Sequence, residues 1–187
     1  MLSFLNDRKV KAKYLGRVRE HAKADEIVKG RYWERGKGCA VGCTIHGSVH
    51  ATYETELGIP AWLAKLEDAL FENLPDATAK KFPARFLSAI PVGVNLEPVR
   101  WRFALVLLAE NAERVNGLEI DAKLKKQVLD AIGCVADVNR KAIETGEWNE
   151  SAAESARSAA ESAESAAESA AWVRFADKLL ELLKECK

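Results

Sequence analysis

The sequence predicts an all-α protein, a helical bundle-like single domain carrying a long Ala/Ser-rich C-terminal helix, and three observations predict it. Apolar residues recur at three- and four-residue steps along most of the chain. Pro and Gly fall mainly at the ends of those runs, where they start or stop helices. The last third holds three copies of a seven-residue unit of Ser, Ala and Glu, in which Ala sustains helix by itself. Short extended pieces are expected only at 31–34 and 92–94.

Taking the elements in order, Asn6 or Asp7 caps a first helix whose stripe is Val10, Tyr14, Val18 and Ala22, flanked by basic residues. Gly30 ends it, and the Gly-punctuated stretch 30–47 is expected to be irregular. Gly58 stops another helix, and Pro60 suits the first turn of the next, where its missing N–H costs nothing. That helix presents Leu63, Leu66, Leu70 and Leu74, widened by Trp62 and Phe71, and leaves Glu67, Asp68 and Glu72 as a solvated face. Pro75 ends it, Asp76 caps a short successor, and Pro83 restarts a segment anchored by Phe86, Leu87 and Ile90. Asn95 caps a helix with Glu97 and Pro98 in its first turn; Trp101, Leu105, Leu108, Ala112 and Val115 form one face, and apolar residues on other faces make it the expected central helix. Gly117 stops it. Asp121 caps a helix with Leu124, Val128, Ala131, Val135, Val138 and Ala142 at four–three spacing, in which Cys134 reads as a buried small hydrophobe.

The repeat occupies 151–157, 158–164 and 165–171, with Ser151 and Glu154 placed to form a capping box. Ala152, Ala156, Ala159, Ala163, Ala166 and Ala170 make a seam with alternating four–three spacing, the condition for close helix–helix approach. Continued to residue 186, such a helix is roughly 50 Å long at 1.5 Å per residue. A compact domain of this size has a radius of gyration of only about 16 Å. The expected organisation is therefore a helical core over 1–148, with a Gly-rich Cys/His loop at 30–50, and a C-terminal helix over 149–187 that packs on the core or on a partner. A homo-oligomer or another protein is the partner such a seam suits.

Composition narrows the function. With 187 residues, 48% apolar and 30% charged, the chain is suited to a packed core. Formal net charge is zero, although residues 1–38 carry eleven Lys/Arg against five Asp/Glu. No reading motif or aromatic–basic interleaving accompanies that basic segment, so nucleic acid is not an expected partner. No stretch approaches a membrane span and the start does not resemble a secretory signal, which makes cytoplasmic residence the expectation. There the four cysteines are reduced thiols.

The chemically distinctive segment is GKGCAVGCTIHGSVH, which spaces Cys39, Cys43, His46 and His50 as C-x3-C-x2-H-x3-H. Thiolate and imidazole are zinc ligands, and four would complete a tetrahedral site. On one continuous helix Cys39 and His50 would lie roughly 16 Å apart along the axis, so joint ligation requires the chain to fold back at Gly42 and Gly47. Two other readings stand beside a zinc or iron site: buried structural thiols with surface histidines, and a reactive Cys39 or Cys43 activated by His46 or His50. Gly36-Lys37-Gly38 lacks the spacing and hydroxyl of a phosphate loop. No hydrolase elbow, zincin or dinucleotide fingerprint is present.

GKGCAVGC, followed by LGIPAWLAKLEDALFENLP and the Ser-Ala-Ala-Glu tail ending ADKLLELL, resembles a set of uncharacterised bacterial and phage-borne helical proteins. The resemblance implies a phage or mobile-element setting and assigns no catalytic residue. The function expected is a non-enzymatic helical binding or interaction protein, with metal binding or thiol chemistry at 39–50 as the alternative.

Overall fold

The computed structural model describes residues 1–117, 122–147 and 169–186. The described residues are all-α apart from one two-stranded hairpin. The chain divides into two compact units, one of Met1–Glu97 with Ser169–Lys187 and one of Pro98–Glu168.

In the first unit a 3₁₀ turn (Ser3–Asn6) leads into α1 (Arg8–Lys23). Asp7 caps α1, its side chain accepting from the Lys9 N–H at 2.7 Å, and Tyr14 and Val18 of the expected stripe are buried. β1 (Trp33–Glu34) and β2 (Lys37–Gly38) pair antiparallel, with Trp33 opposite Gly38. Arg35 and Gly36 join them, both at positive φ, as a two-residue hairpin turn requires. The second expected extended piece, 92–94, is not a strand. Instead Val94 and Gly93 hydrogen-bond Ser3, whose buried hydroxyl donates to the Pro91 carbonyl and accepts from the Val94 N–H.

Two short helices interrupt the stretch after the hairpin, α2 (Ala40–Ile45) and α3 (Thr52–Leu57). Gly58 takes φ +61° and stops α3; a Cβ there would lie 2.2 Å from the Leu2 carbonyl oxygen. α4 (Ala61–Asn73), α5 (Asp76–Ala79) and α6 (Phe82–Ala89) follow, with Pro83 in the first turn of α6. α1 packs on α2 and α6, and α4 touches α2, α3, α5 and α6. Because neighbours approach α4 from several sides, its buried face is wider than a leucine stripe: Leu63, Ala64, Glu67, Leu70 and Phe71 are buried, whereas Leu66 is only half-buried.

The last helix, α9 (Ser169–Lys184), packs on α4 and α6. Phe175, Ala176, Leu179, Leu180, Leu182 and Leu183 are its buried side chains. Each leucine contributes about 1.5–3 kcal/mol by burial, so this helix is held by its apolar face. Arg85 on α6 adds an ion pair to Asp177 at 2.8 Å. The repeat residues Ala152, Ala156, Ala159, Ala163 and Ala166 lie outside the described residues, and Ala170 falls in the first turn of α9.

The second unit contains nearly all of α7 (Glu97–Gly117) and α8 (Ala122–Thr145). Asn95 caps α7 as expected, accepting from the Glu97 N–H at 3.1 Å. Of its predicted face Trp101 and Leu108 are buried, while Leu105, Ala112 and Val115 are half-buried. Cys134 on α8 is exposed, contrary to the buried role expected of it. No helix among the described residues is long and apolar enough to cross a membrane.

Candidate functional site

The Gly-rich segment owes its shape to one carbonyl. Tyr32 O lies against β2 and α2 so closely that a Cβ at Gly38 would sit 1.9 Å from it, and one at Gly42 would sit 1.4 Å away. Neither position accepts a side chain without backbone movement. The Cys39 N–H donates to the Arg31 and Tyr32 carbonyls at 2.8 and 3.2 Å, which seats Cys39 at the start of α2. Its Sγ caps that helix by accepting from the Gly42 N–H at 3.5 Å.

Beyond Cys39 stands α4. Asp68 and Glu72, one turn apart on that helix, bring carboxylate oxygens to Cys39 Sγ so that the three ligand atoms lie within 4.8 Å of one another. Gly30, Arg31 and Tyr32 complete the walls of a pocket of about 230 Å³ around them. Expectation and structure part here: the carboxylates assigned to the solvated face of this helix are turned inward. Glu67 is fully buried, Asp68's side chain is 15% exposed and Glu72 is half-buried. Lys65, by contrast, is exposed.

The electrostatics follow from that inward turn. Burial, and secondarily the Asp68 carboxylate, push the Cys39 thiol up to about 12, against the lowering effect of the Gly42 N–H. Burial raises Glu72 and Asp68 adds to it, while the Gly30 N–H opposes. Tyr32 is raised by burial and by Asp68. One Asp68 oxygen, Oδ2, lies 3.2 Å from His50 Nε2. The other, Oδ1, is buried and makes no hydrogen bond of normal length and angle among the described residues, with the Cys39 thiol and the Tyr32 hydroxyl the donors near this carboxylate. Deeper in, Tyr53 donates to Glu67 Oε2 at 2.8 Å, and burial first, Asp68 second, lift Glu67 to about 8.

The four residues singled out by the sequence are distributed over two places. Cys39 and His50 both approach Asp68, as described. Cys43 faces elsewhere: its thiol donates to the Gly38 carbonyl at 3.3 Å, and burial lifts it to about 12. His46 ends α2 in the left-handed region, φ 54° and ψ 44°. No three of the four bring ligand atoms together, whereas Cys39 does so with two carboxylates. An activated thiol requires a lowered pKa, and both buried thiols are displaced the other way.

His46 belongs to a second cluster. Its ring stacks on Trp33 at 4.2 Å and 16° between planes. Its Nε2 lies 2.8 Å from His21 Nε2, and His21 Nδ1 lies 2.6 Å from Glu26 Oε2. The ring centres of the two histidines are 5.1 Å apart, so the rings meet end to end. At 2.8 Å the two nitrogens are at hydrogen-bond distance, closer than two ligands of one metal ion sit, so they form a hydrogen-bonded chain as they stand. Burial lowers His46, assisted by the charges of Arg17 and His21.

The fold thus defines a helical protein with a thiol–carboxylate pocket beside one end of α2 and an imidazole chain at the other. No family model, curated protein or solved structure matches the chain.

Proposed function

We propose that the protein binds one divalent ion of the zinc class through Cys39 Sγ and the carboxylates of Asp68 and Glu72, with His50 orienting Asp68. The observation carrying this reading is the convergence of three ligand atoms, one each from Cys39, Asp68 and Glu72, within 4.8 Å of one another, with Asp68 Oδ1 buried and without a hydrogen bond among the described residues. Ligand atoms around a tetrahedral zinc sit roughly 3.3–3.7 Å apart, given bonds of 2.0–2.3 Å, so side-chain adjustment within the pocket suffices. A cation also answers the local electrostatics: it favours the thiolate over the thiol and relieves the repulsion between Asp68 and Glu72. A carboxylate–imidazole contact such as that of Asp68 with His50 is a common support for a ligating group. Gly30, Arg31 and Tyr32 line the same pocket, which would leave room for a small ligand beside an ion held by these three residues. The reading therefore belongs with binding rather than with an assigned reaction.

Metal analysis and zinc titration of untagged protein test it. The expected result is one zinc per chain, retained by Cys43→Ser and lost in Cys39→Ser and in the double variant Asp68→Asn/Glu72→Gln. Sub-stoichiometric metal in the wild-type chain, or full retention in the double variant, overturns the assignment.

A further inference from the structure

The second cluster lies apart from the ligands of the proposed metal site and has its own chemistry. Glu26 can only accept a hydrogen bond, so His21 Nδ1 carries the proton in their 2.6 Å contact. With both rings neutral, His21 Nε2 is then the acceptor and His46 Nε2 the donor across 2.8 Å. That leaves His46 Nδ1 as a lone pair, and it makes no hydrogen bond among the described residues. The chain of contacts fixes this tautomer, as a carboxylate does for a histidine it orients.

His46 is held in place for such a role. Trp33 covers one face of its ring, and the edge of His21 meets the same indole at 5.2 Å and 72°. The residue itself is exposed. Its left-handed backbone is a conformation usually left to Gly or Asn at a helix end, and a histidine there carries a conformational cost. Arg17 sets a cation beside the same helix end, donating to the Thr44 carbonyl at 2.8 Å. An anionic electrophile is therefore the substrate class favoured.

We propose that His46 Nδ1 is a nucleophilic phosphoryl acceptor, activated through His21 and Glu26 and serving phosphoramidate or acyl phosphate donors. In the step, the Nδ1 lone pair forms the N–P bond as the donor's P–N or P–O bond breaks, and the leaving group departs with that electron pair. The His46 ring becomes an imidazolium carrying the phosphoryl group. Its Nε2 proton passes to His21 Nε2, and the His21 Nδ1 proton passes to Glu26, so the phosphorylated ring ends neutral and Glu26 ends protonated. Neither oxidant nor metal enters the balance.

Potassium phosphoramidate is the probe, used on the full chain in the presence of EDTA so that the outcome is independent of metal binding. Mass mapping should place an acid-labile phosphoryl group on His46, formed at least about tenfold faster than on His50, since positioned proton transfer contributes factors of this size or more. Glu26→Gln should slow His46 labelling by about tenfold while leaving His50 unchanged, and His21→Gln should do the same. Circular dichroism of each variant confirms that it is folded. Equal labelling of His46 and His50, or a wild-type rate in both folded variants, overturns the proposal. Selective reaction of His46 with diethyl pyrocarbonate but not with phosphoramidate also overturns it, because the nucleophile would then have no preference for phosphoryl donors.

Discussion

Replacing Glu67 by Gln should stabilise the protein at neutral pH and not in acid. Glu67 is fully buried and its pKa is lifted to about 8 from an ordinary 4.5. The folded state therefore keeps a proton that the unfolded state releases. The sign follows directly: stability falls as pH rises from about 4.5 toward 8, because unfolding gains the ionised carboxylate. Each pH unit within that window costs about 1.4 kcal/mol. Between pH 5 and 7.5 the wild-type penalty grows by about 3 kcal/mol once the curvature at both ends is included. Gln cannot ionise, and its carbonyl can still accept from Tyr53, while its amide group loses about 1 kcal/mol if it finds no acceptor. Urea denaturation of both proteins in EDTA, at half-unit pH steps, measures the difference. The variant should be near parity or slightly weaker at pH 5 and about 2–3 kcal/mol more stable at pH 7.5, roughly 4–12 °C in melting temperature. Parallel stability curves across that range would show that Glu67 titrates normally, and the burial argument would fail.

Three further outcomes follow from the same geometry. Gly42→Ala places a Cβ 1.4 Å from the Tyr32 carbonyl oxygen and should cost about 3 kcal/mol or more in denaturant unfolding. Gly47→Ala, whose Cβ meets nothing nearer than 3.8 Å, should cost well under that, and equal losses would refute the close-approach account. Ser3→Ala strips the hydroxyl that joins Pro91 and Val94, leaving the buried Val94 N–H short of a partner; a loss of about 1–3 kcal/mol is expected in thermal or urea unfolding, and none would mean that water reaches that amide. Zinc affinity should rise about tenfold per pH unit between 6 and 8, because a Cys39 thiol near 12 must give up its proton to ligate. Competition with a chelator of known pH dependence measures this, and a flat profile removes Cys39 from the ligand set.

The candidate site was legible only in part, and the reasons are specific. The Cys39–His50 segment stood out because thiols and imidazoles are rare and here they cluster. Their partners did not stand out. Asp68 and Glu72 look like the wet side of an amphipathic helix when a leucine stripe is drawn through Leu66. A signal was nevertheless present, since Leu63, Glu67, Leu70 and Leu74 also follow four–three spacing, which puts a glutamate on the buried face. His21 and Glu26 carry no motif, because they meet His46 only after α1 packs on α2. Helix α2 itself was missed. At six residues, with Gly42 inside and Ala40 to Thr44 all buried, it has no polar face from which a period could be read.

What the chain determined locally was its helical character: caps at Asp7 and Asn95, the stops at Gly58 and Pro75, and the apolar steps of α1, α4 and α9 are short-range choices made by neighbouring residues. Which polar groups meet was decided only in three dimensions. The approach of Tyr32's carbonyl to Gly38 and Gly42, the inward turn of Asp68 and Glu72, and the joining of His21 to His46 all depend on separate elements packing together. Packing sets those pairings because they link residues distant in the chain, and where it buries them, as at Glu67 and Cys39, it favours the uncharged form over the charged one.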